Sequence, residues 1–195
     1  MQDLHTFKER LGGLLNSRKP KMIEDPKGDY AHSSVLLPFF IKDNQYWLLL
    51  IRRADTLQYH SGEISFPGGM VEEGDLNLVT TAKRETFEEV GVLEDDIEIV
   101  GPLDDVSTLT SNFIIHPFIG IIPFPYSFRI NSQEVSYIIE IPLNFFLNSP
   151  NLQYVSINYK GDTFKTPAFD YEGAIIWGAT ERIIENLISI IKTIA

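Results

Sequence analysis

The segment from Phe66 to Gly91 constrains the fold of this chain more than any other, because it joins a glycine-rich turn to a short helix. Apolar residues of the stretch 76–90 recur at helical spacing, which predicts a helix with one face toward a core. Asp75 or Asn77 can cap its start, and Gly91 fits the left-handed position that follows a last turn. The residues expected on the core-facing side are Leu76, Val79, Phe87 and Val90.

The opposite side of this helix carries three carboxylates, Glu85, Glu88 and Glu89. Residues at i, i+3 and i+4 are neighbours on a helix surface, and like charges there destabilise the helix. Acids in a last turn also oppose the helix dipole, at about 0.3–1 kcal/mol each. A bound divalent cation removes both penalties, whereas the alternative is a solvated acidic face. Small residues, Thr81 and Ala82, are expected to leave room for an approaching group.

The preceding residues, Pro67-Gly68-Gly69, supply a second wall for such a site. Consecutive glycines let the backbone approach a ligand closely and leave carbonyl groups free to face a cation. Hard oxygen ligands select Mg²⁺, Mn²⁺ or Ca²⁺, while a zinc site is disfavoured by the absence of cysteine and the presence of only four histidines. We therefore expect metal ligation by the Gly69 carbonyl and the three glutamates.

These residues resemble the signature of the Nudix hydrolases, G-x5-E-x7-R-E-U-x-E-E-x-G-U, in which U is a bulky aliphatic residue. The second half matches from Arg84 to Val92 except for Thr86, which stands at an aliphatic position. In the first half Asp75 stands near the first glutamate, and one extra residue lies between Gly69 and Arg84.

In having this extra residue the chain resembles the coenzyme A pyrophosphatase branch of that family. That branch also carries an upstream motif, L-L-T-x-R-S/A-x3-R-x3-G-x3-F-P-G-G. This chain keeps every spacing of that motif, in the run Leu49-Leu50-Ile51-Arg52-Arg53-Ala54 and in the later Gly62 and Phe66–Gly69. Two identities differ, Ile51 for threonine and Gln58 for arginine. Segments 134–143 and 176–180 also resemble this branch, so that the resemblance covers roughly residues 32–190.

The resemblance implies an α/β/α sandwich with a mixed sheet and hydrolysis of a pyrophosphate linkage with Mg²⁺ or Mn²⁺. The implied substrate is coenzyme A or a derivative, cut to 4′-phosphopantetheine and adenosine 3′,5′-bisphosphate. The expected coenzyme-binding residues are Arg53, Gln58, Gly62, Phe66 and Gly68. Glutamine offers only neutral hydrogen bonds where arginine would pair with a phosphate, so Gln58 is expected to weaken or change recognition.

The catalytic residues expected on this basis are Glu85, Glu88, Glu89, Arg84 and Glu134. Metal ions would neutralise phosphate oxygens and lower the pKa of a bound water. Glu134 is the first candidate for a distal general base, the alternative being an ordinary surface charge. Arg84 either binds phosphate or partners a neighbouring glutamate, and His116, within an apolar strand, is interpreted as a packed histidine.

Two further hypotheses keep the fold and change the function. The first is hydrolysis of another nucleotide, such as ADP-ribose, NADH or a dinucleoside polyphosphate. The second is a non-catalytic module that binds a nucleotide, which is disfavoured because all three acids of the helix are present.

The net charge of −11 argues against a nucleic-acid partner, since such binding depends on basic patches. It also repels a small-molecule nucleotide, so local cations must offset it. Arg52, Arg53, Lys83 and Arg84 are the candidates near the acidic helix.

The absence of cysteine excludes disulfides and fits a cytoplasmic enzyme. The apolar runs 35–41 and 47–51 are too short to span a bilayer. The start, Met1 to Arg18, is a charged amphipathic segment and is not expected to be a signal peptide.

Apolar runs between turn residues predict strands near 32–42, 45–54, 97–104, 112–122, 135–141, 152–160 and 163–169. Helices are predicted near 4–16, 76–90, 142–148 and 178–194. We expect an N-terminal helix and arm over 1–31, with 18–31 as a linker, and a hydrolase domain over 32–195. The apolar stripe of the last helix, from Ile183 to Ile194, either packs in the core or forms a homodimer face.

Overall fold

A computed structural model describes residues 4–108, 111–148, 151–159 and 161–193. Strand β1 is central in it, because its residues from Leu36 to Phe40 are all apolar and are buried on both faces. A strand with this pattern must be covered by other elements on either side. The fold is accordingly a sheet between two helical layers.

Along the described chain, runs of consecutive strands are separated by single helices. The strands are β1 (Ala31–Lys42), β2 (Gln45–Arg53), β3 (Ile64–Ser65), β4 (Gly68–Met70), β5 (Glu98–Pro102), β6 (Val106–Ser107), β7 (Phe113–Ile121), β8 (Val135–Pro142), β9 (Leu152–Tyr159), β10 (Asp162–Tyr171) and β11 (Ala174–Trp177). The helices are α1 (Leu4–Ser17), α2 (Leu78–Val90), α3 (Leu143–Leu147) and α4 (Gly178–Ile191), with a 3-10 turn at Glu94–Asp96.

The principal sheet is mixed. Its path runs β3-β2-β1-β7-β5, with β4 also paired to β1, β6 to β7 and β8 to β2. β1 and β7 run parallel, and the other pairs are antiparallel. A separate antiparallel sheet follows the order β11-β10-β9. This arrangement confirms the predicted α/β sandwich with a mixed sheet.

The two faces of the principal sheet bury separate apolar clusters. Helix α2 covers one face, where Ala82 and Val90 pack with Leu36 and Phe40. Helices α1 and α4 contribute to the larger cluster on the other face, together with the β9–β11 sheet. Among the α-helices of the described ranges, the acidic helix alone supplies buried residues to the smaller cluster.

The predicted core-facing stripe of α2 was wrong at Leu76 and Phe87, whereas Val90 is buried as predicted. Leu76 precedes the helix and is 89% exposed, and Phe87 is 46% exposed. Besides Val90, the buried residues of the helix are Thr81, Ala82, Thr86 and Glu89. The small residues Thr81 and Ala82 thus allow the helix to approach the sheet closely, and do not leave room for a ligand.

Most predicted elements are present with ends shifted by one to several residues. The strands that pattern reading missed are β3, β4, β6 and β11, which are short and carry no run long enough to show alternation. β4 also contains Gly68 and Gly69, which have low strand propensity. Of these, β4 matters most, because it lies beside the acidic helix.

The N-terminal segment packs onto the rest of the chain. Leu11 and Leu15 of α1 are buried in the larger cluster, and the Arg18 guanidinium pairs with Asp104. The following arm is held by backbone donors, since Lys21 N–H binds Asp104 Oδ1 and Ile23 N–H binds an oxygen of Asp105. The division between 1–31 and 32–195 stays a prediction.

The stripe of α4 lies in the core. Ile183, Ile184 and Leu187 are at most 2% exposed, which leaves these residues unavailable for a dimer face. Ile194, the last member of the predicted stripe, lies outside the described residues. None of the helices in the described ranges has the length and apolar character needed to span a membrane.

Candidate active site

Local capping fixes both ends of α2, and so fixes where its acidic residues lie along the helix. The Asn77 side chain accepts from Thr80 N–H at 3.0 Å, so the predicted N-cap is confirmed at Asn77. Gly91 adopts φ 74° and its N–H donates to the Phe87 carbonyl. The left-handed conformation favours glycine and ends the helix directly after Glu89 and Val90.

The acidic face of α2 lies against the paired glycines of β4. Gly68 N–H donates to Glu89 Oε2 at 2.9 Å. At Gly69 any Cβ atom would overlap the Glu85 carboxyl group, which fills the space above the Gly69 Cα. The two glycines therefore bring bare backbone against two carboxylates, and their role as one wall of a metal site stays a prediction.

The pairing of β4 with β1 sets the direction of the Gly69 carbonyl. Leu36 N–H donates to the Pro67 carbonyl, and Val71 N–H donates to the His32 carbonyl. Ser34 and Gly69 are paired midway between these bonds. Hydrogen-bonded pairs recur at every second position of an antiparallel ladder, so the Gly69 carbonyl is directed at β1. This geometry does not support the expected metal ligation by that carbonyl, whereas the neighbouring Gly68 turns its N–H toward Glu89.

Arg84 is the centre of the acidic cluster. Its Nε and Nη2 each lie 3.0 Å from a different oxygen of Asp75, and Nη1 lies 2.8 Å from Glu85 Oε1. Further contacts reach Glu88 Oε2 at 3.3 Å and the Met70 carbonyl at 3.0 Å. In this arrangement the guanidinium pairs with neighbouring acids, which is one of the two roles that the sequence allowed.

Asp75 owes its place in this cluster to bonds from several elements. Besides Arg84, it accepts from Glu72 N–H and Thr81 Oγ1 at 2.9 and 2.8 Å. The Arg84 hydrogen bonds hold the pKa of Asp75 well below its usual range, against the opposing effect of burial. Asp75 therefore stays ionised and holds the Arg84 guanidinium in place.

The two carboxylates nearest the glycines lack equivalent compensation. Desolvation raises the pKa of Glu89 to about 8, against the lowering effects of the Gly68 N–H and Arg53. Burial likewise raises the pKa of Glu85, although Arg84 opposes the shift. The negative charge of Glu134 also raises the pKa of both carboxylates. A charged carboxylate needs a cation here, because burial of an uncompensated charge is costly.

The donor set fits a hard divalent cation by its chemistry, since Glu85, Glu88 and Glu89 offer carboxylate oxygens beside a glycine backbone. In the described chain, however, no group of three acidic or histidine side chains is arranged to hold one ion. The physical reason lies in the contacts above: Arg84 draws Glu85 and Glu88 toward itself, and Glu89 is bonded to Gly68.

The basic side chains expected to offset the negative charge differ in their hydrogen-bond partners. Arg52 is occupied by Asp55, with Nη1 and Nη2 bonded to its two oxygens at 3.0 and 2.7 Å. Lys83 donates to the Glu94 carbonyl at 2.8 Å. Arg53 lies with Nη1 3.8 Å from Glu89 Oε1, while its buried Nε has no hydrogen-bond partner among the described residues. Of these side chains, Arg53 retains donor capacity beside the acids.

Three further coenzyme-binding candidates lie between β2 and β4. Gln58 is exposed, and Gly62 adopts φ 72° where a Cβ would meet the Arg52–Asp55 pair. Phe66 is 2% exposed and packs in the larger core cluster, so the structure does not support direct contact of its ring with a ligand. The aromatic identity at this position is explained by packing.

Glu134 stands at the end of the loop that leads into β8. Its carbonyl accepts from Ala54 N–H at 2.8 Å, which joins the loop to the end of β2 beside Arg53. The side chain is partly buried and close enough to influence Glu85 and Glu89 electrostatically. His116, by contrast, is 5% exposed and bonded to Asp105 and His32, as expected of a packed histidine.

Sequence reading missed one residue of this region, Asn131, whose N–H binds the Glu89 carbonyl. No motif pointed to it, because it is distant from α2 along the chain. Asp75 was noted as a cap, and its actual partner Arg84 lies nine residues later.

A sheet between helical layers, with a glycine strand against an acidic helix that ends at a left-handed glycine, defines a Nudix fold. The NUDIX domain family matches residues 31–139. The chain therefore belongs to the Nudix hydrolase family, enzymes that act on phosphoric anhydride bonds.

Relatives of similar length support this assignment. An uncharacterized Nudix hydrolase NudL of Photorhabdus laumondii is 32% identical over 168 residues, covering 86% of this chain and 87% of that protein. A NudL protein of Yersinia enterocolitica, also described as an uncharacterized Nudix hydrolase, is 34% identical over 156 residues, covering 80% and 79%.

Solved structures agree in fold. A MutT/nudix family protein from Enterococcus faecalis covers 94% of this chain and 69% of its own, with 15% identity and a TM-score of 0.55. The NUDIX domain of NrtR from Shewanella oneidensis, crystallised with ADP ribose, covers 64% and 81%, with 22% identity and a TM-score of 0.50.

Proposed function

We propose that this protein hydrolyses the pyrophosphate linkage of coenzyme A or a derivative, giving 4′-phosphopantetheine and adenosine 3′,5′-bisphosphate. The observation that carries the hydrolytic part is the position of buried Glu89 between Gly68 N–H and Arg53. The observation that favours coenzyme A is the upstream motif, which ends at the paired glycines beside Glu89. We assign the activity to the cytoplasm, in keeping with the absence of cysteine.

Mg²⁺ or Mn²⁺ would be held by Glu85, Glu88 and Glu89, with a backbone carbonyl of the paired glycines. We favour Gly68 over Gly69 for that carbonyl, because the ladder directs Gly69 at β1. The ion, when bound, supplies charge neutralisation and acidifies a bound water. For the protein, this requires that Glu85 and Glu88 give up their contacts with Nη1 of Arg84.

Arg84 has a positioning role in this proposal. The bidentate bond to Asp75 keeps the guanidinium in place when the glutamates turn away, because Nε and Nη2 do not depend on Glu85 or Glu88. Arg84 therefore sets the resting orientation of the acids without binding phosphate.

Arg53 is the proposed phosphate-binding residue. Its buried Nε lacks a partner, and an unsatisfied buried donor costs about 1–3 kcal/mol. A phosphate oxygen would satisfy that donor with a charge-assisted bond. Arg52 is not equivalent, because Asp55 already occupies its donors.

Glu134 is the proposed general base. It would take a proton from the attacking water, while the water oxygen forms a new bond to phosphorus and the bridging P–O bond breaks. General-base catalysis of this kind contributes typically about 10²–10⁴-fold. Its partial burial near Glu85 and Glu89 supports this role.

A second candidate keeps the reaction and changes the substrate to ADP-ribose, NADH or a dinucleoside polyphosphate. Gln58, exposed on the loop before β3, favours it because a neutral amide binds a phosphate more weakly than arginine does. The NrtR domain, which was crystallised with ADP ribose, offers a precedent for nucleotide binding by this fold. A non-catalytic nucleotide-binding module is the remaining alternative.

The test is a substrate panel of coenzyme A, ADP-ribose, NADH and diadenosine polyphosphates, each with Mg²⁺ or Mn²⁺ and with products separated by chromatography. Glu89→Gln is the control for metal-dependent catalysis. Release of 4′-phosphopantetheine that is lost in this variant would support the proposal. Preferential cleavage of another compound would favour the second candidate, and nucleotide binding without turnover would favour the non-catalytic module.

A further inference from the structure

The loop between β7 and β8 is attached to the end of the acidic helix. Arg129 N–H donates to the Val90 carbonyl at 2.9 Å, and Asn131 N–H donates to the Glu89 carbonyl at 3.0 Å. Carbonyls of a last helical turn lack partners within the helix, and the loop supplies them. A Cβ at Gly91 would meet Arg129 Cβ at 2.8 Å, which shows how closely the loop approaches.

Asn131 then closes the turn that leads to Glu134. Its carbonyl accepts from Glu134 N–H at 3.0 Å and from Val135 N–H at 2.8 Å. Its Oδ1 accepts from Gln133 N–H at 3.1 Å, in the manner of an Asx-turn. Through this one residue the backbone of Glu134 is placed relative to the backbone of Glu89.

The Asn131 side chain also reaches the Glu134 carboxylate. Nδ2 donates to Glu134 Oε1 at 3.3 Å, and no other side-chain donor to this carboxylate is found in the described part of the chain. An asparagine amide is a donor and an acceptor at once, so it can hold the turn with Oδ1 and the carboxylate with Nδ2. Aspartate retains only the first of these functions.

We propose that Asn131 is a positioning residue that aims the Glu134 carboxylate at the attacking water. This inference rests on the proposed hydrolysis with Glu134 as base. By binding Oε1, Asn131 leaves Oε2 as the oxygen that takes the proton, and its bond to the Glu89 carbonyl keeps that oxygen in register with the acidic helix. The residue acts on catalysis through Glu134 and does not itself touch the reacting atoms.

Asn131→Asp tests the role of the amide donor. The variant keeps an acceptor for Gln133 N–H, so the turn and the thermal unfolding temperature should be preserved. Loss of the donor should lower kcat about 10- to 100-fold, since misplacement by about 1 Å costs on the order of 10²-fold. KM should change less than about twofold, because substrate binding does not depend on Oε2. Asn144→Asp, which adds the same charge on α3 beside Gln45, is the matched control and should leave both constants unchanged.

A double-mutant cycle separates a positioning role from a general structural one. Glu134→Gln alone should lower kcat by about 10²–10⁴-fold. Asn131→Asp in that background should cause no further loss, because its target carboxylate is already gone. Non-additivity of this kind is the expected signature of two residues in one contact.

The outcomes distinguish this inference from the function on which it rests. Full kcat in Asn131→Asp, or an equal loss from it in both backgrounds, would overturn the positioning role while leaving the hydrolase intact. Full kcat in Glu134→Gln would remove Glu134 as base and the Asn131 inference with it. Failure of the wild type to cleave any substrate of the panel would refute the proposed function and, as a consequence, this inference.

Discussion

The bidentate pair of Arg84 and Asp75 offers the most direct test of how the acidic cluster is held. Asp75→Asn keeps the shape of the side chain and removes its charge. The Asp75 side chain is 4% exposed and Arg84 is 18% exposed, so the variant leaves a largely buried guanidinium without its main counterion. Breaking a buried pair by neutralising one partner costs about 3–5 kcal/mol.

We expect a loss of about 3 kcal/mol in this case, the lower end of that range, because Arg84 can still bond Glu85, Glu88 and the Met70 carbonyl. For a chain of this size 1 kcal/mol corresponds to about 2–4 °C, so the unfolding temperature should fall by about 6–12 °C. Urea unfolding followed by circular dichroism at neutral pH measures the free energy directly.

Asp55→Asn provides a matched control, because Asp55 forms a bidentate pair with Arg52 just as Asp75 does with Arg84. Its side chain is 69% exposed, so solvent screens the pair and Asp55→Asn should cost much less stability than Asp75→Asn. Equal losses in the two variants, or a loss below about 1 kcal/mol for Asp75→Asn, would refute the argument that burial makes the Arg84 pair important. The pKa of Asp75 is lowered by folding, so its contribution should be complete above the ordinary carboxyl range and fade as the pH falls below about 4.

Three further predictions concern the metal and the substrate. Burial raises the pKa of Glu89 to about 8, so the folded chain retains a proton that the unfolded chain loses near pH 4.5. Stability without metal should therefore decline between about pH 4.5 and 8. Glu89→Gln should therefore be more stable than the wild type at pH 8 in chelator, and Mg²⁺ should stabilise only the wild type; a less stable variant in thermal unfolding would contradict this. Gly69→Ala should displace the Glu85 carboxyl and reduce kcat at least about tenfold, whereas Gly74→Ala, with open space around it, should not; equal rates would refute the close-approach argument. Gln58→Arg should raise kcat/KM for coenzyme A about tenfold by adding a charged phosphate contact, and an unchanged ratio to ADP-ribose would argue against this role.

The ends of the acidic helix were predictable because they depend on neighbouring residues alone. Asn77 reaches its own first turn, and Gly91 relieves the steric cost of a left-handed conformation. The long strands were predictable for a similar reason, since runs such as Val35–Ile41 carry enough apolar residues to require burial.

The facing of that helix was not predictable from its own periodicity. Leu76 and Phe87 lie exposed while Glu89 is buried, because the position of β1 and β4 decides which side of α2 meets the sheet. A short helix with apolar and small residues on several sides is compatible with more than one rotation, and tertiary packing selects among them.

The sequence by itself determined the family, the caps of α2 and the set of carboxylates, since these are carried by residue types at fixed local spacing. Only the tertiary structure decided which arginine is occupied by an acid, which glycine carbonyl is directed at β1, and that Asn131 joins Glu134 to Glu89. These contacts connect segments far apart in the chain, and their partners are chosen by strand register and by burial. Register and burial are properties of the assembled sheet, which no local pattern contains.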